Sequence, residues 1–437
     1  MGKLQLFFKD FTFQKGKDIF VNTCKRFFIQ LWSITIFAII LIFEVNGISV
    51  TDDLEGLLLY VLAIGAFIDF VIVLWKENSK NEGVANLVRA VVWVLLLVYY
   101  IYLNLSEIFE QSHIDAFLIG NLSVFTAVTL VLPFVRFWSD NDGDDVPAYN
   151  LMFGLIRNQF LIYIVQVIIV SAVLLLMFSI SQLFNFDFGG DEVFFSVIII
   201  IYWFTFCLFF VGIPYGDKLY NNSIDEFKVL QKGVKYVLLP LLLIYIIVIF
   251  MYTLKIVIEW ELPKGMVSYL VSGVMFTYVF SYICLYPTLK VDTKLTFIMC
   301  KILPMVMLPL LGLMTVGIIR RVSDYGITPT RLYLITLLLW FYVICIVIFI
   351  RNTQRIRWIF TSFALLFLLT SFQPFNYTKI CKMVHISQYE KLLEQYGLIM
   401  PTDSKEYDKI FRKLPENVQN DIIEKQEYIV KKYGYEK

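Results

Sequence analysis

The sequence predicts an all-α fold, a polytopic transmembrane helical bundle of about 11 spans (about 10–12) with a small helical C-terminal tail. Composition is the first observation: the 437-residue chain is 59% hydrophobic and 17% charged, and its mean hydropathy is +0.73. Soluble domains average about 45–50% apolar residues. The second observation is that the apolar residues fall into runs of roughly 17–25, the length at which a helix crosses hydrocarbon. The third is a C-terminal stretch that has helical spacing but no such run.

The predicted spans follow one another with short polar connections. They lie at residues 27–43, 57–75, 87–105, 114–134, 160–182, 193–213, 235–258, 266–287, 302–319, 332–350 and 358–373. The chain is thereby divided into an N-terminal segment (1–26), a transmembrane domain (27–373) and a soluble tail (374–437).

Lys and Arg residues predict the orientation of the bundle. They occur in the N-terminal segment and in alternate loops, for example at Lys76 and Arg136. The first three opposite loops carry acids instead, such as Asp53 and Glu110. Because cytoplasmic loops are enriched in Lys and Arg, we expect the N-terminus in the cytoplasm. An odd number of spans then places the tail on the outer side.

The tail is predicted to contain helices. Apolar residues recur at helical spacing over 386–396, and Gly397 is a plausible stop. A second helix is predicted within 402–415, and a third over 418–433 with Gly434 as its C-cap. A stretch of this size is too small for a large core of its own. We therefore expect it to pack on the membrane domain or on another subunit.

The sequence offers little for catalysis or metal binding. Only two histidines occur, His113 and His385, and the six cysteines form no C-x-x-C pair. We predict no catalytic residue, no metal site and no cofactor. The net charge of +1 and the lack of a basic stripe argue against a nucleic-acid partner. The lipid bilayer is the partner that the composition predicts.

The most informative segment is the polar turn at residues 320–331, between the ninth and tenth spans. On the predicted topology its arginines, Arg320, Arg321 and Arg331, lie in an outward loop, where Arg works against insertion. Two hypotheses account for them. They form structural ion pairs with acids such as Asp324, or they bind an anionic lipid head group or a small anionic substrate, as bidentate arginine does well.

The centre of the same turn is predicted to be a connector between two helices. Tyr325 precedes Gly326, which can adopt the left-handed conformation that ends a helix. Thr328 is then placed to cap the next helix, and Pro329 suits its first turn.

Two features inside the spans are further candidates. Asp69 stands in an apolar run, where an ionisable residue is a functional candidate by default. It could relay protons, pair with Arg89, or reach the cytoplasmic interface by tilt or water penetration. Pro304 and Pro309 interrupt the ninth span, and broken helices mark binding sites in many transporters. A simple kink is the alternative, since Pro is common in membrane helices.

Several segments resemble a known bacterial family. They are Lys25-Arg26-Phe27, the turn with Tyr325, Gly326, Thr328 and Arg331, Ser387-Gln388 with Leu392, and Tyr428-Ile-Val with Tyr433-Gly434. This pattern resembles the inner-membrane family catalogued as domain of unknown function 4153, and the last segment is similar to members from Bacteroides-like bacteria. Phe28 departs from the pattern, since many members have proline there. The resemblance implies a multi-pass inner-membrane protein, and it implies no catalytic residue.

Three functions follow as hypotheses. A transporter or permease is favoured by the number of spans, the prolines of the ninth span and Asp69. A membrane sensor or an assembly partner acting through the tail is favoured by the structured tail. An enzyme on a lipid-linked substrate is favoured only by the acidic outward loops and the arginines, since no nucleophile–base pair is recognisable.

Overall fold

The computed structural model confirms an all-helical membrane fold. It describes residues 13–48, 54–77, 82–105, 111–137, 145–184, 191–213, 228–259, 266–352, 355–371, 376–398 and 410–433. Each of the predicted spans coincides with a helix, and seven helices in the described part are long and apolar enough to cross a membrane. The chain divides into two compact units, Met1–Glu107 with Val128–Val229, and Ile108–Ala127 with Leu230–Lys437.

The first unit is built from the N-terminal helices. They are α1 (Phe13–Arg26), α2 (Phe28–Val45), α3 (Leu54–Lys76), α4 (Glu82–Leu105), the last part of α5 (Gln111–Val135), α6 (Val146–Phe184) and α7 (Asp191–Val211). Helix α2 packs against α3 and α7, α3 packs against α4, and α6 packs against α7.

Aromatic residues form the core of this unit. Phe27, which separates α1 from α2, is fully buried, and its ring lies 5.6 Å from that of Phe70 and 5.0 Å from that of Phe210. Leu74 and Leu132 complete the contact from α3 and α5. The predicted first span began at residue 27. The structure shows that Phe27 is instead the junction at which the N-terminal helix meets the span.

Helix α6 is much longer than its predicted span. It has 39 residues, so it is about 58 Å long, roughly twice the thickness of the hydrocarbon core. Its first third is buried, with Tyr149 and Leu151 fully enclosed, whereas most side chains from Phe160 onward are exposed and apolar. The prediction over 160–182 therefore found the lipid-facing part and missed the buried beginning. That beginning carries polar residues such as Asn150 and Arg157, which end an apolar run in the sequence without ending the helix.

The second unit contains the first part of α5 and the remaining helices. They are α8 (Lys228–Gly233), a π-helical turn (Val234–Leu238), α9 (Leu239–Glu259), α10 (Met266–Leu289), α11 (Thr293–Phe297), a second π-helical turn (Ile298–Ile302), α12 (Leu303–Tyr325), α13 (Pro329–Arg351), α14 (Arg357–Ser371), α15 (Tyr377–Gln395) and α16 (Glu416–Tyr433). Helix α10 packs against α9 and α12, and α12 packs against α13.

Pro304 produces a π-helical turn. The Leu303 N–H donates to the Ile298 carbonyl five residues back, in the π pattern. Continuing that pattern would require an N–H from Pro304 for the Met299 carbonyl, and proline has none. The Tyr278 hydroxyl of α10 fills this position by donating to the Met299 carbonyl at 2.8 Å in a buried setting. The predicted disturbance at Pro304 is thus a widened turn whose freed carbonyl is bonded by a neighbouring helix, while Pro309 lies inside a continuous α12.

The same device occurs once more in this unit. The π-helical turn Val234–Leu238 is followed by Leu239 and Pro240, and the Leu239 N–H donates to the Val234 carbonyl. In both places a five-residue π turn precedes a Leu-Pro pair. Such turns are one way in which membrane helices accommodate the missing N–H of proline.

The tail packs on α13 of the same unit through α15. Helix α15 contacts α13 and α16, and Ile422 and Ile429 of α16 are buried, as the predicted apolar face requires. Gly397 has a positive φ of 68° just beyond α15, which confirms the predicted stop. The predicted helix within 402–415 lies largely outside the described residues, and Gly434 lies wholly outside them.

Candidate functional site

Asp69 and Arg89 meet because α3 and α4 form an antiparallel pair. Asp69 lies as far before the end of α3 as Arg89 lies after the start of α4, so the two side chains come to the same level. Gly65 and Trp93, one turn further along each helix, face each other in the same way. The pairing with Arg89 was one of the three sequence hypotheses for Asp69, and the structure shows it.

The Asp69 carboxylate is fully buried and held by a bidentate ion pair. Arg89 Nε donates to Oδ1 and Arg89 Nη2 donates to Oδ2, each at 2.5 Å. A planar guanidinium matches the two oxygens of a carboxylate, and this makes the pair both strong and directional. The Arg89 side chain is 25% exposed, so the charge pair is enclosed on the carboxylate side.

Two further N–H groups complete the hydrogen bonding of Asp69. Gln30 Nε2 of α2 donates to Oδ2 at 2.6 Å, and Trp93 Nε1 donates to Oδ1 at 3.1 Å. Each carboxylate oxygen therefore accepts two hydrogen bonds. We call Asp69, Arg89, Gln30 and Trp93 the Asp69 cluster. The sequence suggested its ion pair as one of three alternatives, and nothing in the sequence marks Gln30 or Trp93 as partners of Asp69.

Gly65 makes room for the tryptophan of the Asp69 cluster. A Cβ atom at Gly65 would lie 2.7 Å from Trp93 Cη2, far inside van der Waals contact. The indole ring can lie against α3 only because this position has no side chain. Gly65 is thus a structural requirement for the hydrogen bond from Trp93 to Asp69, which lies one helical turn away.

A second ionic group lies beside Phe27 of the aromatic core, where the Arg26 guanidinium carbon is 4.6 Å from the ring centre. Arg26 donates to both oxygens of Glu77, with Nη2 at 3.0 Å from Oε2, and Arg136 also donates to Oε2. Arg26 Nη1 additionally donates to the Ile213 carbonyl at 3.1 Å. The Glu77 carboxylate therefore joins the ends of α1, α3 and α5, and Arg26 extends this group to the segment that follows α7. The sequence used Arg136 only as an orientation signal and Arg26 only in the family resemblance, and the long separation of these residues in the chain concealed the contact.

The connector at the centre of the turn has most of its predicted geometry. Gly326 has φ 73° and ψ −171°, an extended positive-φ conformation rather than the left-handed helical one, and its N–H donates to the Val322 carbonyl. Pro329 occupies the first turn of α13, as predicted. Thr328 stands at the N-cap position, but its side chain makes no capping hydrogen bond, so that part of the prediction is wrong.

The carbonyls of the turn are bonded by side chains. Arg331 Nη1 donates to the Gly326 carbonyl, and His385 Nε2 of α15 lies 2.9 Å from the Ile327 carbonyl. We call Gly326, Ile327, Arg331 and His385 the capped turn. Capping of a carbonyl is a role for Arg331 that the sequence hypotheses did not include. Arg320 is exposed and Arg321 half-buried, whereas the side chains of Asp324 and Tyr325 lie outside the described set.

The predicted site residues fall into separate groups. Asp69 belongs to the first unit, and Arg320, Arg321, Asp324, Tyr325, Gly326, Thr328 and Arg331 belong to the second. Among the described residues, no group of three or more His, Cys, Asp or Glu side chains is arranged to hold a metal ion.

Comparison with known proteins identifies a family without an assigned activity. The family model described as Domain of unknown function (DUF4153) matches residues 31–398. The chain is also similar to an uncharacterized protein, PM1469, of Pasteurella multocida (strain Pm70), with 23% identity over 355 residues. That alignment covers 78% of this chain and 55% of the relative, so the chain spans about half the length of the curated relative it matches. No solved structure matches the chain. The chain is a polytopic membrane protein that belongs to the DUF4153 family.

Proposed function

We propose that the protein is a permease-like transporter of the bacterial inner membrane, with Asp69 as its coupling carboxylate. The observation that carries this proposal is a fully buried carboxylate inside an apolar helix, paired with an arginine on the next helix. Ionisable residues in such positions are costly, and they often serve proton or ion coupling.

The Asp69 cluster supplies two states that a proton can select. With Asp69 ionised, four N–H groups converge on the carboxylate and tie α2, α3 and α4 together. Protonation removes the negative charge and converts one acceptor oxygen into a donor. The bidentate pair with Arg89 is then lost, and the contact between α3 and α4 weakens. A ligand shifts such an equilibrium by its differential affinity for the two states, and here the ligand is the proton.

Charge movement can test this proposal before any substrate is known. Proteoliposomes on a solid-supported membrane are exposed to a rapid pH jump, and the transient current is recorded. We expect a current in the wild type that is lost in Asp69→Asn, because the amide cannot titrate. Glu44→Gln, the same chemical change at an exposed position of α2, is the control and should keep the current. Equal currents in Asp69→Asn and the wild type would overturn the coupling role.

The orientation and the domain boundaries form part of the proposal. The N-terminus lies in the cytoplasm, residues 27–373 form the transmembrane domain, and the tail (374–437) lies outside. The exposed Arg320 then offers an anionic lipid or a small anionic ligand a contact at the outward turn. A membrane-impermeant maleimide should label Ser323→Cys from outside intact spheroplasts. Labelling only after the membrane is opened would reverse the topology.

A membrane sensor or assembly partner is the second candidate. It is favoured by the tail, because α15 packs on α13 and His385 reaches the Ile327 carbonyl of the turn. A partner that binds the tail would compete with this packing or extend it. Photo-crosslinking in cells from an amino acid placed at Met383, which is 52% exposed on α15, would capture such a partner, whereas crosslinks confined to the chain itself would argue against it.

A further inference from the structure

The two polar atoms of the Gln30 side chain differ in their hydrogen bonding. Its side chain is fully buried, and Nε2 donates to Asp69 Oδ2 at 2.6 Å. This bond fixes the orientation of the amide, since the reversed orientation would place Oε1 against the carboxylate oxygen. In the described part of the chain, Gln30 Oε1 is buried without a hydrogen-bond partner.

A buried acceptor of this kind indicates a bound group that can donate a hydrogen bond. Buried polar atoms in native proteins are almost always bonded, and internal water is the usual partner where protein groups do not suffice. Ser33, three residues further along α2 on the same side of the helix, is 5% exposed and offers a second polar group. The place is therefore polar enough for a small molecule.

The chemistry of the Asp69 cluster limits what that group can be. A metal cation needs several oxygen ligands, and both carboxylate oxygens already accept two N–H bonds each. An anion would face an acceptor oxygen. A neutral donor the size of water meets neither objection.

We propose that a water molecule is bound at Gln30 Oε1, beside Asp69, and that Gln30 is a positioning residue which holds both. The water site is inferred only from the buried Gln30 Oε1, which has no hydrogen-bond partner in the described part of the chain. Its role rests on the proposed coupling function: the water is the nearest carrier from which Asp69 exchanges a proton.

The water site is tested by NMR on the full-length protein in detergent micelles with ¹⁵N-labelled glutamine side chains. The Gln30 amide resonance is assigned by its disappearance in Gln30→Met, a variant of similar volume. We expect a magnetisation-transfer peak between the Gln30 side-chain amide and water, while the fully exposed amides serve as positive controls. A Gln30 amide without this peak overturns the water site, and this result needs no folded variant beyond the assignment.

The coupling role is tested by the pH-jump current of the same variant. We expect Gln30→Met to slow the decay of the transient current several-fold, because the proton then reaches Asp69 without the adjacent water. An unchanged decay would show that the water does not serve Asp69. If Asp69→Asn itself leaves the current unchanged, the proposed function fails while the NMR peak still decides the water site.

Discussion

The Asp69 cluster and the capped turn place charged side chains in a membrane protein in two different ways. In the Asp69 cluster the charge is paired with an opposite charge, and both oxygens of the carboxylate are saturated by side chains. In the capped turn the cation of Arg331 is bonded to a backbone carbonyl that the end of a helix leaves without a partner. The two arginines therefore differ in what their loss leaves behind. Loss of Arg89 leaves a buried charge, whereas loss of Arg331 leaves a neutral carbonyl.

The largest effect is expected for Arg89→Met, which leaves the buried Asp69 carboxylate without its counter-charge. Breaking a buried ion pair on one side costs about 3–5 kcal/mol. The midpoint of thermal unfolding in detergent should fall markedly, and Arg89→Met combined with Asp69→Leu should recover much of the loss. A single variant as stable as the wild type would mean that the pair is hydrated and would remove the contrast with the turn.

A smaller loss is expected for Gly65→Ala, which tests the packing of the Asp69 cluster without touching a charge. The added Cβ must displace the Trp93 ring, and overpacking of this kind costs about 1–3 kcal/mol. Gly273→Ala is the matched control, because a Cβ there meets nothing within 4 Å. The midpoint of thermal unfolding should fall in Gly65→Ala. It should rise slightly in Gly273→Ala, since alanine is a better helix former than glycine. Equal midpoints would mean that the ring moves freely.

In the capped turn, Arg331→Met should have a moderate effect. Arg331 lies in the first turn of α13 and donates to the carbonyl that follows α12, and the loss of one such hydrogen bond costs about 1 kcal/mol. Arg331→Lys keeps the charge and should retain part of the stability. Chemical unfolding in a series of detergents would measure the free energy of unfolding of the wild type and of both variants. A loss as large as that of Arg89→Met would show that Arg331 also neutralises a buried charge.

The smallest effect is expected for Thr328→Ala. Removal of a functional Thr cap costs about 1 kcal/mol, but the Thr328 side chain makes no capping bond, so the change should stay within about 0.5 kcal/mol. Asn376→Ala is the comparison, because the buried Asn376 side chain accepts the Thr378 N–H at 2.8 Å and also donates to the Ser371 carbonyl at 3.1 Å. It should lose about 1 kcal/mol. The reverse order in thermal unfolding would contradict the hydrogen bonding described for the turn.

The spans and the family could be predicted from the sequence alone, because long apolar runs and the Gly326–Pro329 connector are local signals. The sequence offered the Asp69–Arg89 pair as one of three hypotheses, since the two residues lie on successive helices of one hairpin, and the structure selects that hypothesis. Gln30 could not be assigned to Asp69, because the contact depends on how α2 packs on α3. The capping by His385 likewise depends on the docking of α15, which no local pattern encodes.

The local backbone conformation at proline was the other feature that the sequence alone could not predict. Pro304 signalled a disturbed helix, but the choice between a kink, a break and a π-helical turn depends on whether a neighbour can bond the freed carbonyl. Here the Tyr278 hydroxyl donates to the Met299 carbonyl, which lies 21 residues further along the chain. The functional consequence of a proline in a span is therefore decided by the helix beside it, and a single sequence does not display that neighbour.

The level pairing of Asp69 with Arg89 also has a consequence for synthesis. Each residue alone raises the cost of inserting its helix, by at most about 2.5–3.5 kcal/mol. Because they lie on consecutive helices with a short connection, the charges can neutralise each other as soon as α4 follows α3 into the lateral gate of the translocon. We therefore expect the α3–α4 hairpin to partition into lipid as one unit.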